Sequence, residues 1–461
     1  MNSKFTFIDL FAGIGGFHHA LSQLGGKCVL ACEMDKNARK VYEHSFSNEG
    51  DESYQFVENI RTLTREDIED ENSLKSTKEI DALVPDHDVI CGGFPCQPFS
   101  KSGGQKGVRD TTRGTLFFDI VQIIEAKKPK YVFLENVRNI AGPRHQHTWR
   151  TVISSIRELG YHISDEPMIF SPHFLPRDRG GAPQVRERVF IVGIRSDFSD
   201  YPLTSVARFN EKLRNKEYWN PDDWKISEFL DSDATISSVG QYEISASEVV
   251  YVDAWNYFVK NIATEKLPGF PLWAFSFKEE PAIEQGMADW EINFRIKNSD
   301  FYNTHRAFID KWMLMRWGAD QKRVSEFPFS RQKFEWQANK RHPKKSGRML
   351  DDLVLQFRPS GIRVKPPSYL PALVAITQTS VVGPKLRPKS SVGFRKLTPI
   401  EAARLQSIPN RVYDSGVVSD QAAYKQLGNA VNVGIVKAVA EVLLGKDVNI
   451  TESVRQQISL I

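Results

Sequence analysis

Cys96 is the residue in this chain best placed to act as a nucleophile. It lies in GGFPCQPFSKSGG (92–104), where the apolar run DVIC ends in Gly-Gly and gives way to Pro-Cys-Gln-Pro-Phe-Ser. A cysteine between a rigid proline and a loop, at the carboxyl end of a parallel strand, occupies the edge where open α/β sheets bind ligands. Thiolate is the strongest common side-chain nucleophile, so the chemistry on offer is covalent catalysis. The other three cysteines, Cys28, Cys32 and Cys91, also fall in the first hundred residues. They have neither zinc-ligand spacing nor the spread of a disulfide scaffold, and read as small buried residues in or beside strands. No metal is expected. A second candidate is DLFAGIGG (9–16), with Phe11, Gly13, Gly15 and Gly16. A strand running into a glycine-rich turn and a helix makes a cofactor cradle, because the backbone can approach the ligand and the helix N-terminus aims N–H groups at it. Glu33, at the end of the next strand, can accept hydrogen bonds from ribose hydroxyls.

Further strings accompany these in order: Glu135-Asn136-Val137; Gln184, Arg186 and Arg188 in APQVRERVF; RKLTPIEAARLQSIP; and YKQLGNAVNVGIV, with Gly428, Asn429 and Val431. Together with FIDLFAGIGGF and Pro-Cys-Gln, they resemble the ordered motifs of the DNA (cytosine-5)-methyltransferase family, of the bacterial restriction-modification type. The resemblance covers the first domain and the last 65 residues. It implies S-adenosyl-L-methionine as methyl donor, held by Phe11, Gly13, Gly15, Gly16, Glu33, Asn59, Pro95, Asn429 and Val431. The family usually has an Asp at its third cofactor position. Here the string is Glu58-Asn59-Ile60, and the role passes to the side-chain carbonyl of Asn59.

The resemblance also assigns the chemistry. Carbon 5 of cytosine is a poor nucleophile, and a thiolate adding at carbon 6 turns the ring into an enamine that can attack a methyl group. Cys96 supplies the thiolate. Glu135 protonates ring nitrogen 3 as negative charge builds. Arg188, supported by Arg186, stabilises charge at the ring oxygen and lowers the thiol pKa. The target base must leave the duplex stack, at a cost of a few kcal/mol. Residues 97–114 hold four glycines with Lys101, Lys106 and Arg109, which suits a mobile loop closing over that base. Gln97, Ser100, Lys101, Arg109 and Gln184 are the expected DNA contacts.

The elements that must position these groups follow from the pattern. FTFIDLF, KCVLACEMD, HDVICGG, YVFLENV and RVFIVGI read as strands. They alternate with helices at FHHALSQLGG, Asn37–Ser45, Leu116–Lys127 and Thr148–Leu159. Such alternation implies a parallel sheet with helices on both faces. With the resemblance, the fold class is α/β, a Rossmann-like S-adenosylmethionine-dependent methyltransferase sheet plus a smaller irregular target-recognition domain. The expected divisions are 1–195 for catalysis and cofactor, 196–394 for target recognition, and 395–461 as a segment returning to the catalytic domain. YLPALVAITQTSVVG reads as two short strands. Thr398, Pro399 and Glu401 open a helix with a capping box.

Charge separates the middle region into halves. Residues 211–310 hold 10 Lys+Arg against 18 Asp+Glu, and residues 311–396 hold 19 against 5. An acidic insertion (about 211–310) therefore precedes a basic, DNA-facing half (about 311–394). In the latter, RQKFEWQANKRHPKKSGR (331–348), with Phe334 and Trp336 among its cations, and RPSGIRVKPPSY suit backbone and groove contact. The expected partners are double-stranded DNA and a separately encoded restriction endonuclease. The chain is expected to be a monomer, cytosolic and without a membrane partner. Three other readings stand beside this one: an RNA-methylating relative, a catalytically silent DNA binder, and a nicotinamide dehydrogenase. The long basic region argues against the first, and intact Cys96, Glu135 and Arg188 against the second. Only the glycine-rich turn supports the third.

Overall fold

The computed structural model describes residues 4–47, 54–95, 115–164, 166–198, 220–344, 347–374, 380–413 and 416–444. It divides into two compact units, residues 1–221 with 402–461, and residues 222–401. Arg395–Glu401 thus pack with the second unit, although the motif they begin continues into the first.

The first unit is built on an eight-stranded sheet. Its strands are β1 (Phe5–Leu10), β2 (Gly26–Cys32), β3 (Gln55–Val57), β4 (Val89–Gly93), β5 (Tyr131–Val137), β6 (Tyr161–Ile163), β7 (Met168–Phe170) and, after the short β8 (Gln184–Val185), β9 (Arg188–Arg195). The order is β3-β2-β1-β4-β5-β9-β6, with β7 also on β9. β1 is parallel to both β2 and β4, and β4 is parallel to β5. The chain winds one way from β1 to β2 and the other way to β4, so a crevice opens at the carboxyl ends of these strands. β1, β4 and β5 are buried almost throughout, as strands covered on both faces must be.

The sheet departs from the all-parallel arrangement at β9, which runs antiparallel to β5. Among the described residues, the segment between the helix Gln146–Glu158 and β9 contains no crossover helix. It holds the short strands β6 and β7, both antiparallel to β9, and without a crossover the chain returns in the opposite direction.

The helices are α1 (Gly16–Ser22), α2 (Lys36–Ser47), α3 (Arg61–Thr64), α4 (Thr77–Leu83), α5 (Leu116–Lys127), α6 (Gln146–Glu158), α7 (Asp420–Asn429) and α8 (Val433–Leu444). Ser76 and Glu79 form a reciprocal capping box on α4, and Thr115 caps α5. The apolar stretch Asp420–Leu444 is long enough to cross a membrane but is mostly buried within the protein. α8 packs on α1 and is capped by Asn432, whose Oδ1 accepts from Ile435 N at 2.9 Å. Cys28, Cys32 and Cys91 are buried free thiols on β2 and β4.

The second unit carries more regular structure than its composition announces. Its six-stranded sheet runs Leu272–Trp273, Lys333–Trp336, Gly361–Lys365, Val354–Arg358, Ser380–Val382, Arg395–Lys396. Two long helices, Ala246–Asn261 and Asp289–Leu314, accompany it. Trp255 stacks on Phe334 at 4.5 Å and donates its indole N–H to Arg331 O at 2.9 Å. Phe334 and Trp336 are 1% and 2% exposed. These two aromatics therefore belong to the core, whereas the sequence reading counted them with the cations of a segment suited to DNA contact.

Near its end this unit buries a charged network. Asp233 accepts from Arg387 Nε and Arg395 Nε, each at 3.1 Å, and from the backbone N–H groups of Ser391 (2.8 Å) and Val392 (3.2 Å). Arg395 also makes a two-pronged contact with Glu401, 2.8 Å on each oxygen. Glu401 completes the expected capping box: Thr398 N donates to its Oε2 at 2.8 Å and Glu401 N to Thr398 Oγ1 at 3.1 Å.

Candidate active site

The glycine-rich turn after β1 holds three residues in left-handed backbone: Phe11 (φ 55°), Gly13 (57°) and Gly15 (84°). For Phe11 this conformation costs roughly 1–2 kcal/mol. The turn is fixed by Ala12 N donating to Cys32 O at 2.9 Å and Gly15 N to Ala12 O at 2.8 Å. Gly13 N donates to Glu33 Oε2 at 2.8 Å, and Asp35 N to Glu33 Oε1 at 2.7 Å. The Glu33 carboxylate is thus clamped between the turn and the start of α2. At Gly16 a Cβ would lie 2.4 Å from Val431 Cγ2 and 3.1 Å from Val431 O. Only glycine lets the segment before α8 approach α1 this closely.

These groups line a cavity of about 460 Å³ at the carboxyl edge of the sheet, within the usual size for a cofactor site. Phe11, Gly13, Gly16, Glu33, Asn59, Pro95, Glu135, Arg188, Asn429 and Val431 all border it. Gly15 lies behind the wall, facing Phe46 and Tyr42. Asn59 Oδ1 already accepts from Arg61 N at 3.0 Å, so its carbonyl caps the following turn and retains one lone pair for a ligand.

At the far end of the cavity Arg188 Nε approaches Glu135 Oε1 at 2.9 Å. Burial pushes the Glu135 carboxyl above its ordinary value, opposed by the charges of Arg188 and Arg186. Arg186 does not line the cavity. It is 2% exposed and donates through Nη2 to Gly428 O at 2.8 Å and Ala430 O at 2.7 Å. It therefore fixes the segment carrying Asn429 and Val431. Burial and the neighbouring Arg188 pull Arg186 down to about 9, with Glu135 opposing, which leaves it charged at neutral pH. Asn136 Nδ2 donates to Phe94 O at 2.9 Å and its Oδ1 accepts from Val137 N at 2.8 Å. That pair of bonds ties the end of β5 to the backbone two residues before Cys96. Gln184 is fully buried and off the cavity. Cys96, Gln97, Ser100, Lys101 and Arg109 lie outside the described residues.

Sequence reasoning passed over Asp35 and Lys425, which also border the cavity. Lys425 Nζ and Asp35 Oδ2 pair at 2.9 Å. The side-chain bond from Lys425 leads the causes that lower the Asp35 pKa. No local pattern links positions 390 apart in sequence, although Lys425 stands within the YKQLGN string itself.

Comparison with known proteins finds relatives along most of the chain. Type II methyltransferase M.AluI of Cellulosimicrobium cellulans is 37% identical, over 95% of this chain and 91% of that protein. Type II methyltransferase M.HpaII of Haemophilus parainfluenzae is 31% identical, over 97% and 91%. Among solved structures, the S. pombe Dnmt2 methyltransferase aligns with a TM-score of 0.49 at 15% identity, over 96% of this chain and 99% of that one. The family model described as C-5 cytosine-specific DNA methylase matches residues 5–445, and the chain belongs to that family.

Proposed function

We propose that this protein transfers a methyl group from S-adenosyl-L-methionine to carbon 5 of a flipped-out cytosine in a specific sequence of double-stranded DNA, through a covalent Cys96 adduct. The observation that carries the reading is one cavity bordered both by the glycine-rich turn with Glu33 and by the Glu135–Arg188 pair beside Phe94 and Pro95. The cradle fits the donor. Glu33 presents a carboxylate held for ribose hydroxyls, Phe11 offers a ring in a fixed backbone, and the glycine at 16 keeps the wall thin. When bound, S-adenosylmethionine supplies an electrophilic methyl group on a sulfonium.

The protein's residues do the rest. Cys96 Sγ forms a bond to carbon 6, and the displaced electron pair spreads to carbon 5 and nitrogen 3. Glu135, kept protonated more readily by its burial, gives its proton to nitrogen 3. Arg188 faces the ring oxygen and orients Glu135. After transfer a base takes the carbon 5 proton, the bond from carbon 6 to sulfur breaks to return the thiolate, and nitrogen 3 gives its proton back to the Glu135 carboxylate. Arg186 acts one step removed, by holding the Asn429–Val431 wall. The relatives are named type II methyltransferases, which supports a cellular role in protecting host DNA from a cognate restriction endonuclease, in the bacterial cytosol beside the nucleoid.

Bisulfite sequencing of DNA from a methylation-free host expressing the chain tests the activity. Protected cytosines confined to one short motif are expected; no protection by a soluble, cofactor-binding protein would refute it. Cys96→Ser is expected to lower methyl transfer roughly 10³-fold or more, the scale for losing a nucleophile that acts with partners. Near-full activity in that variant would rule out the covalent route. Gly16→Ala should raise the KM for S-adenosylmethionine about tenfold, equivalent to about 1.4 kcal/mol, with kcat changed by only a few-fold. Steady-state titration of the donor checks this.

A further inference from the structure

The cavity of the first unit is rimmed by side chains from three separate segments. Of the residues that border it, Met34, Glu58 and Lys425 are exposed and mark its mouth, whereas Gly16, Cys32 and Val431 are buried and form its floor. Two ion pairs tie this rim together, and both hold the start of α2. Lys425 Nζ on α7 meets Asp35 Oδ2 at 2.9 Å. Arg39 Nη1 on α2 meets Glu58 Oε2, just after β3, at 3.0 Å.

Asp35 is the better connected of the two anions. Its Oδ1 accepts from Asn37 N at 2.9 Å and Ala38 N at 3.0 Å, which caps α2. Its own N–H donates to Glu33 Oε1 at 2.7 Å, and Glu33 Oε2 accepts from Gly13 N at 2.8 Å. A chain of hydrogen bonds therefore runs from the Lys425 ammonium through Asp35 and Glu33 to the glycine-rich turn. Every link but the first joins the turn to the two strand ends it follows. The first link reaches across the fold to α7.

That first link is also the one in contact with water. The Lys425 and Asp35 side chains are 58% and 37% exposed. The bond to Asp35 leads the causes that raise the Lys425 pKa, the mirror of its effect on Asp35. Both groups are thus charged at neutral pH, but an exposed ion pair is weak and screened by salt. A contact at a cavity mouth that orders the floor when made, and opens at small cost, suits a site whose occupant must enter and leave at each turnover.

We propose that Asp35 and Lys425 form a clasp at the mouth of the donor cavity: Lys425 holds Asp35, Asp35 positions Glu33, and opening of the pair sets how fast the spent donor leaves. This rests on the reading of the cavity as the S-adenosylmethionine site. Both are positioning residues, acting through Glu33.

The test is release of tritiated S-adenosylhomocysteine from the full chain, chased with unlabelled compound at several salt concentrations. Lys425→Gln and Asp35→Asn should each speed release about three- to fivefold, the scale of an exposed pair. Asparagine keeps the α2 cap, so the Asp35 variant removes the charge alone. The double variant should release no faster than either single one, because both remove the same contact. Wild-type release should quicken as salt rises, and that response should be lost in the variants. Lys425→Arg should restore slow release. Unchanged release in both single variants would overturn the clasp, and so would additive effects in the double variant. Fast release that Lys425→Arg fails to correct would assign the effect to the packing of α7 and overturn it as well. A wild-type protein that binds no S-adenosylhomocysteine would instead sink the donor reading itself, a result distinct from these.

Discussion

Glu135→Gln is expected to lower kcat roughly 10²–10⁴-fold, the range for a general acid that protonates the reacting group, while the KM for DNA and donor stays within a few-fold. The substitution keeps the shape and removes only the proton the ring nitrogen needs. Its pH signature is specific. Burial raises the Glu135 pKa above the ordinary value of 4.5, so the donor form persists to higher pH than a surface carboxyl would allow. The wild-type rate should fall as pH rises through that raised pKa, while thiolate formation at Cys96 makes it rise. In Glu135→Gln the falling limb should vanish. Measuring kcat on duplex substrate across pH decides the matter. Cofactor binding serves as the folding control, because charging a buried carboxyl is a cost the variant no longer bears. A falling limb that survives in the variant would assign the proton to another group.

Asp233→Ala should be the most destabilising single change in the second unit, by about 3–5 kcal/mol, the scale for removing one partner from a buried ionic network. The change strands Arg387 and Arg395, whose Nε groups both aim at the missing carboxylate. Burial alone would raise the Asp233 pKa. The N–H groups of Ser391 and Val392 and the two arginines outweigh it and hold the carboxyl at about 2, below its ordinary 3.8. A depressed carboxyl contributes stability that is complete above the unfolded value and disappears as pH falls through the folded one. The contribution here is about 2 kcal/mol. The stability difference between wild type and Asp233→Asn should therefore shrink between about pH 4 and pH 2. Denaturant midpoints across that range, with hydrogen exchange in strands 354–358 and 380–382, provide the measurement. A pH-independent difference would mean that the carboxylate's charge is not what the network uses.

Much of the first unit could be read from sequence because its signals are local. The β-branched run before DLFAGIGG and the helix Leu116–Lys127 each declare themselves within a few residues, as does, in the second unit, the capping box at Thr398 and Glu401. The direction of β9 does not. RVFIVGI is a sound strand in either orientation, and only the missing crossover helix between α6 and β9 reverses it. The helix Ala246–Asn261 had a usable signal, the Ser245 and Glu248 box. Its apolar residues fall on several sides, so the helical period was blurred. Most residues that border the cavity were singled out by motif, whereas Asp35 and Lys425 were missed because their partnership exists only after folding. Gln184 is a different case: its motif position suggested contact with DNA, and folding buries its side chain.

The contacts of Arg186 set an order for the protein's birth. Its guanidinium needs carbonyls of residues 428 and 430, which lie 242 and 244 positions later, and Gly16 needs Val431 as its neighbour. At roughly 5–20 residues per second, a ribosome that has just finished β9 needs some tens of seconds before it delivers them. Through that interval the sheet carries a cationic side chain without its final acceptors and a cleft without one wall. The cavity therefore closes only when residues 428–431 arrive, and a chain cut short anywhere before α7 lacks one of its walls, however well its first 200 residues have folded.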